Sequence, residues 1–476
     1  MIKWSKFTIT AFYLLFTIPF FASIHPLDEC SHNACLSSTS KQHHSHKGVC
    51  LTALQRAQIK EKNQASIKNL SEENIIKELN KNLSMDFIWP VQASSSMPFK
   101  DFYMTTNYVD QNFGNGTLDF NCGNITYDGH RGIDISTWPF QWYLYENEMA
   151  FAVAAASGTI IGKDDGNFDQ NCNFSNAPWN AVYVMHDDGS QAWYGHLKSS
   201  SLTSKVIGDR VNAGEYLGVI GSSGSSTASH LHFEVYDNND NLVDPYQGNC
   251  NSLNSQSWWA NQKSYEEPGI NALTTHFDWP LLGCPAGEEL TNFKNDFDLG
   301  DNVYFSIFGR HFKPGQGGNL LMKRPDGSVF TSIEYSHSED VFFPDVQWNA
   351  YVNIPFSEME GLWTLETIFG GETIKHDFNV GEVNPVVDPN LSFVTFINGC
   401  RNGVDYNEST QRITATAEFI NNENVASAST NVNLYLATTE TDAQNSYTSV
   451  QFIGSTTVSG FAGMESKEVT ITSDPL

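Results

Sequence analysis

The chain has 476 residues and a mass of 53.1 kDa, which suggests about two to four domains rather than one. Its 54 Asp and Glu residues outnumber 26 Lys and Arg residues, giving a net charge of −28 that would repel nucleic acid, anionic membranes and anionic cell-wall polymers. Hydrophobic residues make up 40%, which excludes wholesale disorder, and the 17% of charged residues is typical of a loop-rich, secreted β protein.

The N-terminus has the pattern of a signal peptide over residues 1–23. Lys3 and Lys6 precede an apolar run over residues 7–21, and small residues follow it. A retained membrane anchor is the alternative, but the run is short for a bilayer span. No later segment is apolar enough to cross a membrane, so we expect a secreted protein that does not insert into membranes after cleavage.

Residues 24–84 are predicted to form a pro-segment. A Cys- and His-rich stretch over 24–50 is followed by apolar residues at helical spacing over 51–83. A helical segment between a signal peptide and a β-rich body is typical of a pro-segment, and a helical subdomain that is never removed is the alternative. An exported chain is expected to pair its cysteines, but the sequence does not fix how, and the odd number on each side of residue 84 would leave one thiol over after processing. The cysteines are Cys30, Cys35, Cys50, Cys122, Cys172, Cys250, Cys284 and Cys400.

The remainder of the chain is predicted to be mainly β. Short β-type runs broken by Gly, Asn and Asp fill residues 85–250, and a polar stretch over 251–275 is expected to be a linker. Residues 276–382 have the strand spacing of a small antiparallel sandwich. After a Pro-containing linker, residues 383–476 are again strand-like and are expected to form a second sandwich, one or two strands short of closure.

Three pieces of residues 85–250 concentrate groups that suit metal chemistry. Side chains alternate along an extended backbone, so His130 and Asp134 would point to one side, and His230 and His232 would share a strand face. Two imidazoles and a carboxylate are a ligand set of catalytic zinc, which keeps a fourth position for water. His196 and His230 would then remain to act as base and as hydrogen-bond donor.

Each of these pairs is weak evidence alone, because a His-x-His or a His-x3-Asp arises by chance about once in a chain with so many histidines. The apolar neighbours of His230 and His232 would equally suit histidines buried in a core. Their joint occurrence in one β-rich block, in a fixed order and among glycines, favours the metal site.

The same block resembles the lysostaphin/LytM-type zinc metallopeptidases. It contains a His-x3-Asp at 130–134, a Tyr-x-His-Leu at 194–197, a glycine-rich turn at 218–224 and a His-Leu-His-Phe-Glu at 230–234. The resemblance implies an antiparallel β-sheet that frames a groove, and one zinc ion bound by His130, Asp134 and His232, with His196 and His230 catalytic. It also implies endopeptidase activity, commonly next to glycine, in peptidoglycan cross-links or in glycine-rich extracellular proteins.

Two loops are longer than in short members of that family, at residues 137–148 and 164–178. Cys122 and Cys172 lie in or near such loops, and a bridge between them is one expectation. His186 is expected to be structural, and Tyr127 and Tyr194 are weaker candidates for donors to an oxyanion.

The Cys- and His-rich leader over 24–50 is open to three interpretations. It could bind a metal of its own, or it could place a ligand on the catalytic zinc and hold the zymogen latent. A disordered or disulfide-linked leader is the interpretation that its composition favours. Trp258 and Trp259 could form an exposed binding platform or pack in the core.

The last region, over 383–476, is similar to adhesion-type immunoglobulin-like domains of bacterial surface proteins, which suggests binding to a cell surface or to substrate. The sequence therefore favours a secreted bacterial zinc endopeptidase with accessory domains. A non-catalytic adhesin or wall-binding protein, or a regulator of another hydrolase, built on the same scaffold, is the competing interpretation. The negative charge tilts the substrate slightly towards protein or peptide.

Overall fold

The structure is a computed structural model that describes residues 34–39, 48–76, 86–284, 286–337 and 343–381, and six strands between residues 391 and 472. The predicted signal peptide and most of the Cys- and His-rich leader lie outside the described residues. Within the described part of the chain, no helix combines the length and hydropathy that a membrane span requires.

The N-terminal segment contributes one strand and one long helix, β1 (Ala34–Thr39) and α1 (Ala53–Glu72). Thr52 and Gln55 form a capping box that satisfies backbone N–H groups at the start of α1. The buried face of α1 consists of residues at helical spacing, Arg56, Ile59, Asn63 and Leu70. Helix α1 lies within the stretch of predicted helical spacing over 51–83, and the left-handed conformation of Asn74 follows its end. Residues 77–83 of that stretch lie outside the described residues.

An antiparallel sheet forms the frame of the central region. Its strand order is β3-β4-β11-β8-β7-β6-β9, with β12 paired to β11, and a smaller sheet has the order β10-β5-β2. The elements are β2 (Val91–Ala93), β3 (Tyr103–Asn107), β4 (Ile133–Thr137), α2 (Gln141–Glu146), β5 (Ala150–Val153), β6 (Gly158–Asp164), β7 (Ala181–His186), β8 (Gln191–Gly195), β9 (Arg210–Val211), β10 (Tyr216–Val219), β11 (His230–Tyr236) and β12 (Leu242–Val243).

The middle strands of this sheet are buried on both faces. The side chains on one face pack in a first core that includes Ile135, Phe233 and Trp259. Those on the other face pack in another core, which includes Trp193 and lies under α1. Trp258 is packed against the first of these cores, so the pair at 258–259 belongs to the core and forms no exposed platform.

The next region consists of two sheets that share a second core. One sheet has the order β1-β18-β15-β13 and the other β14-β20-β19-β16-β17, and Trp348 and Trp363 pack between them. The strands are β13 (Gly269–His276), β14 (Asp296–Phe297), β15 (Asn302–Phe312), β16 (Gly317–Lys323), β17 (Val329–Ser336), β18 (Phe343–Asn353), β19 (Gly361–Phe369) and β20 (Glu372–Val380), with a short 3-10 helix at Ala286–Glu288.

Most of β13 falls in the segment that was predicted to be a linker, and this boundary is therefore wrong. The strand buries Ile270 and Leu273 in the second core and pairs with β15 along its length. The polar stretch that suggested a linker ends before it, and the burial of apolar side chains stabilises the strand.

The last described strands are antiparallel wherever they pair. Strand β23 pairs with β21 and β22 along one edge and with β26 along the other, and β24 pairs with β25. They are β21 (Leu391–Phe396), β22 (Val404–Asn407), β23 (Arg412–Asn421), β24 (Thr430–Leu436), β25 (Gln451–Val458) and β26 (Ser466–Thr472). The described chain is thus mainly β, as predicted, while the immunoglobulin-like character of the two last regions stays a prediction.

Within the described residues, the disulfides Cys122–Cys250 and Cys172–Cys284 connect distant parts of the chain. The expected Cys122–Cys172 bridge is therefore wrong. The second disulfide ties the long loop at 164–178 to the region that follows the central sheet. Cys50 is a buried free thiol.

Candidate metal centre

Neighbouring strands of the central sheet bring the predicted residues together. In the pairing of β11 with β4, His232 lies opposite Asp134, and in the pairing of β11 with β8 it lies opposite Gly195. His196 follows β8 directly, and His230 and His232 share one face of β11, as their spacing predicts. His130 precedes β4, and all five side chains are buried.

His130, Asp134 and His232 turn one ligand atom each towards a common point. His130 Nε2 lies 3.2 Å from His232 Nδ1 and 3.1 Å from Asp134 Oδ1, and His232 Nδ1 lies 2.9 Å from that same oxygen. Ligand bonds of about 2.0–2.1 Å in tetrahedral geometry place two zinc ligands about 3.3 Å apart, so the triad is nearly at the separation that one ion requires.

Further hydrogen bonds hold the three ligand atoms in this orientation. His130 Nδ1 donates to the Tyr108 carbonyl at 2.7 Å, which leaves Nε2 free to bind a metal. His232 Nε2 donates to the Glu234 carboxylate at 2.9 Å, and Asn107 donates to the outer oxygen of Asp134 at 3.1 Å. Metal-binding histidines are oriented in this way by outer partners, and the residues present therefore fit a zinc ion.

Gly132 leaves the space that the His232 ring fills. A Cβ added at Gly132 would lie 2.6 Å from the ring and 2.9 Å from the Phe233 carbonyl. Both contacts are far inside van der Waals distance, so only glycine allows the imidazole to take its position.

His196 and His230 form a second pair beside the triad. Each Nδ1 donates to a backbone carbonyl, that of Ser223 at 2.5 Å and that of Ala228 at 2.8 Å, and the ring centroids lie 4.4 Å apart. Both Nε2 atoms are buried without a hydrogen-bond partner among the described residues. His230 Nε2 lies 3.6 Å from Asp134 Oδ1, so this nitrogen is next to the metal-binding position.

His196 has a backbone φ of +64°, a left-handed conformation that is uncommon for a residue other than glycine. Strained backbone of this kind is concentrated at functional sites, where the surrounding structure enforces it. Here it turns the side chain from the end of β8 towards His230.

The thiol of Cys50 lies among all five residues. Its Sγ and the ligand atoms of the triad are all within 4.8 Å of one another, and the same holds for its Sγ with His196 and His230. The Tyr127 hydroxyl is 2.8 Å from Sγ, and Cys50 is only 3% exposed. The sequence pointed to Cys50 only as one of several residues of a leader that could place a ligand on the zinc.

The pKa values of the site reflect its concentrated charge. Burial lowers the pKa of His130, but the Asp134 carboxylate more than offsets this and raises the pKa from 6.5 to about 9. Burial raises the pKa of Asp134, but His130 and His230 hold it well below the usual range of a carboxyl. Burial and Asp134 raise the pKa of Cys50, but His232, His130 and His196 outweigh them and lower it. A divalent cation would balance the negative charge of this carboxylate and thiol.

The pKa values of the two remaining histidines move in opposite directions. Burial and the neighbouring His230 lower the pKa of His196. Burial also lowers the pKa of His230, but the Asp134 carboxylate raises it above its usual value.

The other predicted candidates are divided between the site and the core. Tyr127 lies at the site, with its ring 4.4 Å from that of His130. Tyr194 does not, because its hydroxyl accepts from the Ala155 backbone inside the first core. His186 donates to the Ser157 carbonyl at 3.1 Å and stacks near Phe87, which agrees with a structural role.

A buried ion pair connects α1 to the triad, and no motif in the sequence indicates it. Arg56 Nε donates to Glu234 at 2.9 Å, and the side chains are 8% and 0% exposed. The same carboxylate accepts from His232 and from the Tyr236 hydroxyl. Glu234 could be recognised as the end of the motif, whereas its partner lies 178 residues away in the predicted pro-segment.

The central region matches the family model described as peptidase family M23 over residues 129–245. The chain is 29% identical to endolysin 2638A of Staphylococcus phage 2638A over 136 residues, which are 27% of this chain and 23% of that protein. It is 40% identical over 70 residues to the glycyl-glycine endopeptidase ALE-1 of Staphylococcus capitis, which is 14% and 18% of the two chains.

A third relative is the DD-carboxypeptidase/endopeptidase Mpg of Neisseria meningitidis serogroup B, 43% identical over 56 residues and 12% of each chain. The chain spans less than a quarter of the length of these relatives. The matches confirm the resemblance noted from the motifs, and the family-model match lies in the central region that holds the candidate metal centre.

Proposed function

Because residues 129–245 form a domain of peptidase family M23, we propose that this chain is a secreted zinc metalloendopeptidase. The observation that carries the proposal is the arrangement of three oriented ligand atoms beside two buried histidine nitrogens that have no partner among the described residues. Two buried imidazoles beside the ligand atoms have no role in a structural metal site, whereas a catalytic site needs them as base and hydrogen-bond donor.

His130 Nε2, Asp134 Oδ1 and His232 Nδ1 are proposed to hold the zinc ion. Zinc in such a site lowers the pKa of a bound water and polarises a substrate carbonyl. His230 Nε2 is assigned as the base that takes a proton from the water, because it lies 3.6 Å from Asp134 Oδ1. The carboxylate that raises the pKa of His230 would be neutralised by the cation, which leaves this imidazole able to accept a proton.

His196 Nε2 is assigned to donate a hydrogen bond to the oxyanion of the tetrahedral intermediate. The Ser223 carbonyl fixes its ring through Nδ1, so Nε2 can donate only when the ring is charged; burial lowers the pKa of His196 in the free site, and the negative oxyanion would raise it again. The alternative is that His196 is the base and His230 the donor. The pKa of His196 is lowered and that of His230 is raised, so the effect of replacing each histidine on the pH dependence of turnover can distinguish the two assignments.

The substrate is proposed to be a peptide bond next to glycine, in peptidoglycan cross-links or in glycine-rich extracellular protein. The names of two relatives, a glycyl-glycine endopeptidase and a DD-carboxypeptidase/endopeptidase, support the first class. The net charge of −28 supports the second, because an anionic wall would repel the chain.

The remainder of the chain is assigned by its organisation. We retain residues 1–23 as a signal peptide and 24–84 as a pro-segment, and residues 85–250 as the peptidase domain. The region from the start of β13 to residue 382, and residues 383–476, are proposed to be accessory β domains that bind a cell surface or substrate. The disulfides Cys122–Cys250 and Cys172–Cys284 support an extracellular location.

The proposal is tested by measuring zinc content together with the release of new amino groups from purified peptidoglycan and from elastin. The processed wild type should contain one zinc ion per chain and should release amines from at least one substrate. His232→Ala should lose both properties. His376→Asn is the matched control, because this histidine lies in β20, outside the site, and it should retain both.

Bound zinc without turnover on either substrate, after N-terminal processing, would refute the peptidase. It would favour the competing proposal of an adhesin, or a regulator of another hydrolase, built on the same domain. Such a protein would bind its partner whether or not zinc were present.

A further inference from the structure

We propose that the Cys50 thiolate is a fourth ligand of this metal centre, and that residues 48–76 thereby form a built-in inhibitor of the peptidase. This inference rests on the proposed function for the identity of the metal, and it adds a ligand and a regulatory segment to the site. The Cys50 sulfur lies among the five functional side chains of the site.

The position of Sγ is that of the missing ligand. Three protein ligands leave one position of a tetrahedral zinc site for water or substrate. Cys50 Sγ lies within 4.8 Å of all three ligand atoms, on the side where His196 and His230 also approach it. A nucleophilic water would have to occupy this same place, between the metal and the base, so the thiol and the water exclude each other.

The chemistry of the sulfur suits the same conclusion. Thiolate is a preferred ligand of zinc, with bonds of about 2.3 Å, and a set of four protein ligands is characteristic of closed sites that do not turn over. Among the described cysteines, Cys122, Cys172, Cys250 and Cys284 are all paired, and Cys50 is a free thiol. A buried free thiol in an extracellular protein is unusual, and ligation to the metal would account for it.

The chain on both sides of Cys50 is fixed to the walls of the site. The Val49 carbonyl accepts from the Ser225 hydroxyl at 2.8 Å, and a Cβ added at Gly48 would lie 2.2 Å from the Phe174 ring. Gln55 donates to the Asn176 carbonyl at 3.3 Å. The segment thus crosses between the long loop at 164–178 and the turn that precedes β11, and these contacts hold the thiol beside the metal-binding residues.

The helix that follows anchors the segment more firmly. Leu51, Ile59 and Leu70 are buried in the core under the outer face of the sheet, and Arg56 is paired with Glu234. Burial of these apolar side chains stabilises the docked segment. These contacts hold the thiol at a high effective concentration beside the metal-binding residues, so that it competes with water and with substrate.

Release is a ligand exchange. The zinc–sulfur bond breaks, a water molecule binds in place of sulfur, and the departing thiolate takes a proton from solvent. Cleavage of the chain after α1, or displacement of the segment by a partner, would supply the step without any oxidant or reductant.

The direct test is spectroscopic and uses the full chain loaded with Co²⁺ in place of zinc. The wild type should show the intense near-ultraviolet band of a thiolate–cobalt bond. Cys50→Ser should bind Co²⁺ with the same stoichiometry and retain the visible bands of the His130, Asp134 and His232 ligands, but lack the thiolate band. Zinc-edge X-ray absorption of the wild type should show one sulfur at about 2.3 Å, a measurement that does not depend on any variant.

Activity supplies the second readout. Full-length Cys50→Ser should release amines from the substrate at least about tenfold faster than the full-length wild type, because water replaces sulfur at the metal. A loaded wild type without a sulfur ligand would overturn the inference, whatever the activity. A sulfur ligand in the wild type with no turnover in either chain would leave the inference standing and refute the proposed peptidase instead.

Discussion

The carboxylate of Glu234 joins the metal centre to α1, and replacing it by glutamine should weaken both. Glu234 accepts from His232 Nε2 at 2.9 Å and from Arg56 Nε at 2.9 Å, and it is completely buried. A glutamine can offer only one oxygen, so an amide N–H must face either the imidazole or the guanidinium, both of which are donors.

Two costs follow from Glu234→Gln. Arg56, 7% exposed, loses its counter-charge inside the protein, a change that costs about 3–5 kcal/mol when one partner of a buried pair is removed. His232 loses the acceptor that fixes its ring, which lowers metal affinity by about 10- to 100-fold. The variant should therefore unfold at a lower urea concentration even without metal, and it should release zinc to a competing chelator more readily.

A double-mutant cycle separates these effects. Adding Arg56→Leu to Glu234→Gln removes the unpaired charge, so the free energy of unfolding should recover by about 2 kcal/mol or more while the zinc affinity stays low. A single Glu234→Gln variant with a loss of less than about 1 kcal/mol and unchanged zinc affinity would refute the reasoning.

Three further changes test other parts of the structure. Gly132→Ala should lower zinc affinity, measured by isothermal titration, by at least about tenfold, because the added Cβ would lie 2.6 Å from the His232 ring. Gly287→Ala is the control and should leave the affinity unchanged, because a Cβ added there would have no atom within 4 Å. Cys172→Ser with Cys284→Ser opens a bridge over 112 residues and should cost about 2–5 kcal/mol in urea unfolding; an unchanged midpoint would contradict this. Burial lowers the pKa of His311 to about 4 from 6.5, so the unfolded chain binds the proton first, and stability should fall by about 3 kcal/mol as pH drops from 6.5 to 4. His311→Asn should lose that part of the pH dependence of urea unfolding, and equal pH profiles for both chains would show that His311 is not responsible.

The chemistry of His311 explains the direction of that pH effect. Its Nδ1 accepts from the Glu267 backbone at 3.0 Å while its Nε2 donates to the Thr105 carbonyl at 2.7 Å. Protonation of Nδ1 would break the first of these bonds. The bond from His311 Nε2 in β15 to Thr105 in β3 persists in both forms, so protonation costs the Glu267 bond and the burial of a charged ring.

The local part of the site could be predicted from the sequence. The two-residue period of an extended strand places His230 and His232 on one face without any knowledge of the fold. The pairing of β4 with β11, which sets Asp134 opposite His232, depends on register between strands about 100 residues apart and was available only through the resemblance to a family.

The features that the sequence did not determine are all tertiary. Proximity along the chain suggested Cys122–Cys172, but the fold brings Cys250 and Cys284 to those positions. Polar composition suggested a linker up to residue 275, but β13 is stabilised by the core it completes. Cys50 looked like one cysteine of a leader because nothing in its neighbours reveals that α1 packs on the sheet and carries it to His130.

The most direct test of the central claim separates metal binding from turnover. In full-length Cys50→Ser, the additional change His230→Ala should leave one zinc ion per chain, because the triad of His130, Asp134 and His232 is intact. Amine release should fall by about 10²-fold or more with loss of the base. Retained zinc with lost turnover is the result that this account predicts; undiminished turnover without His230 would contradict it.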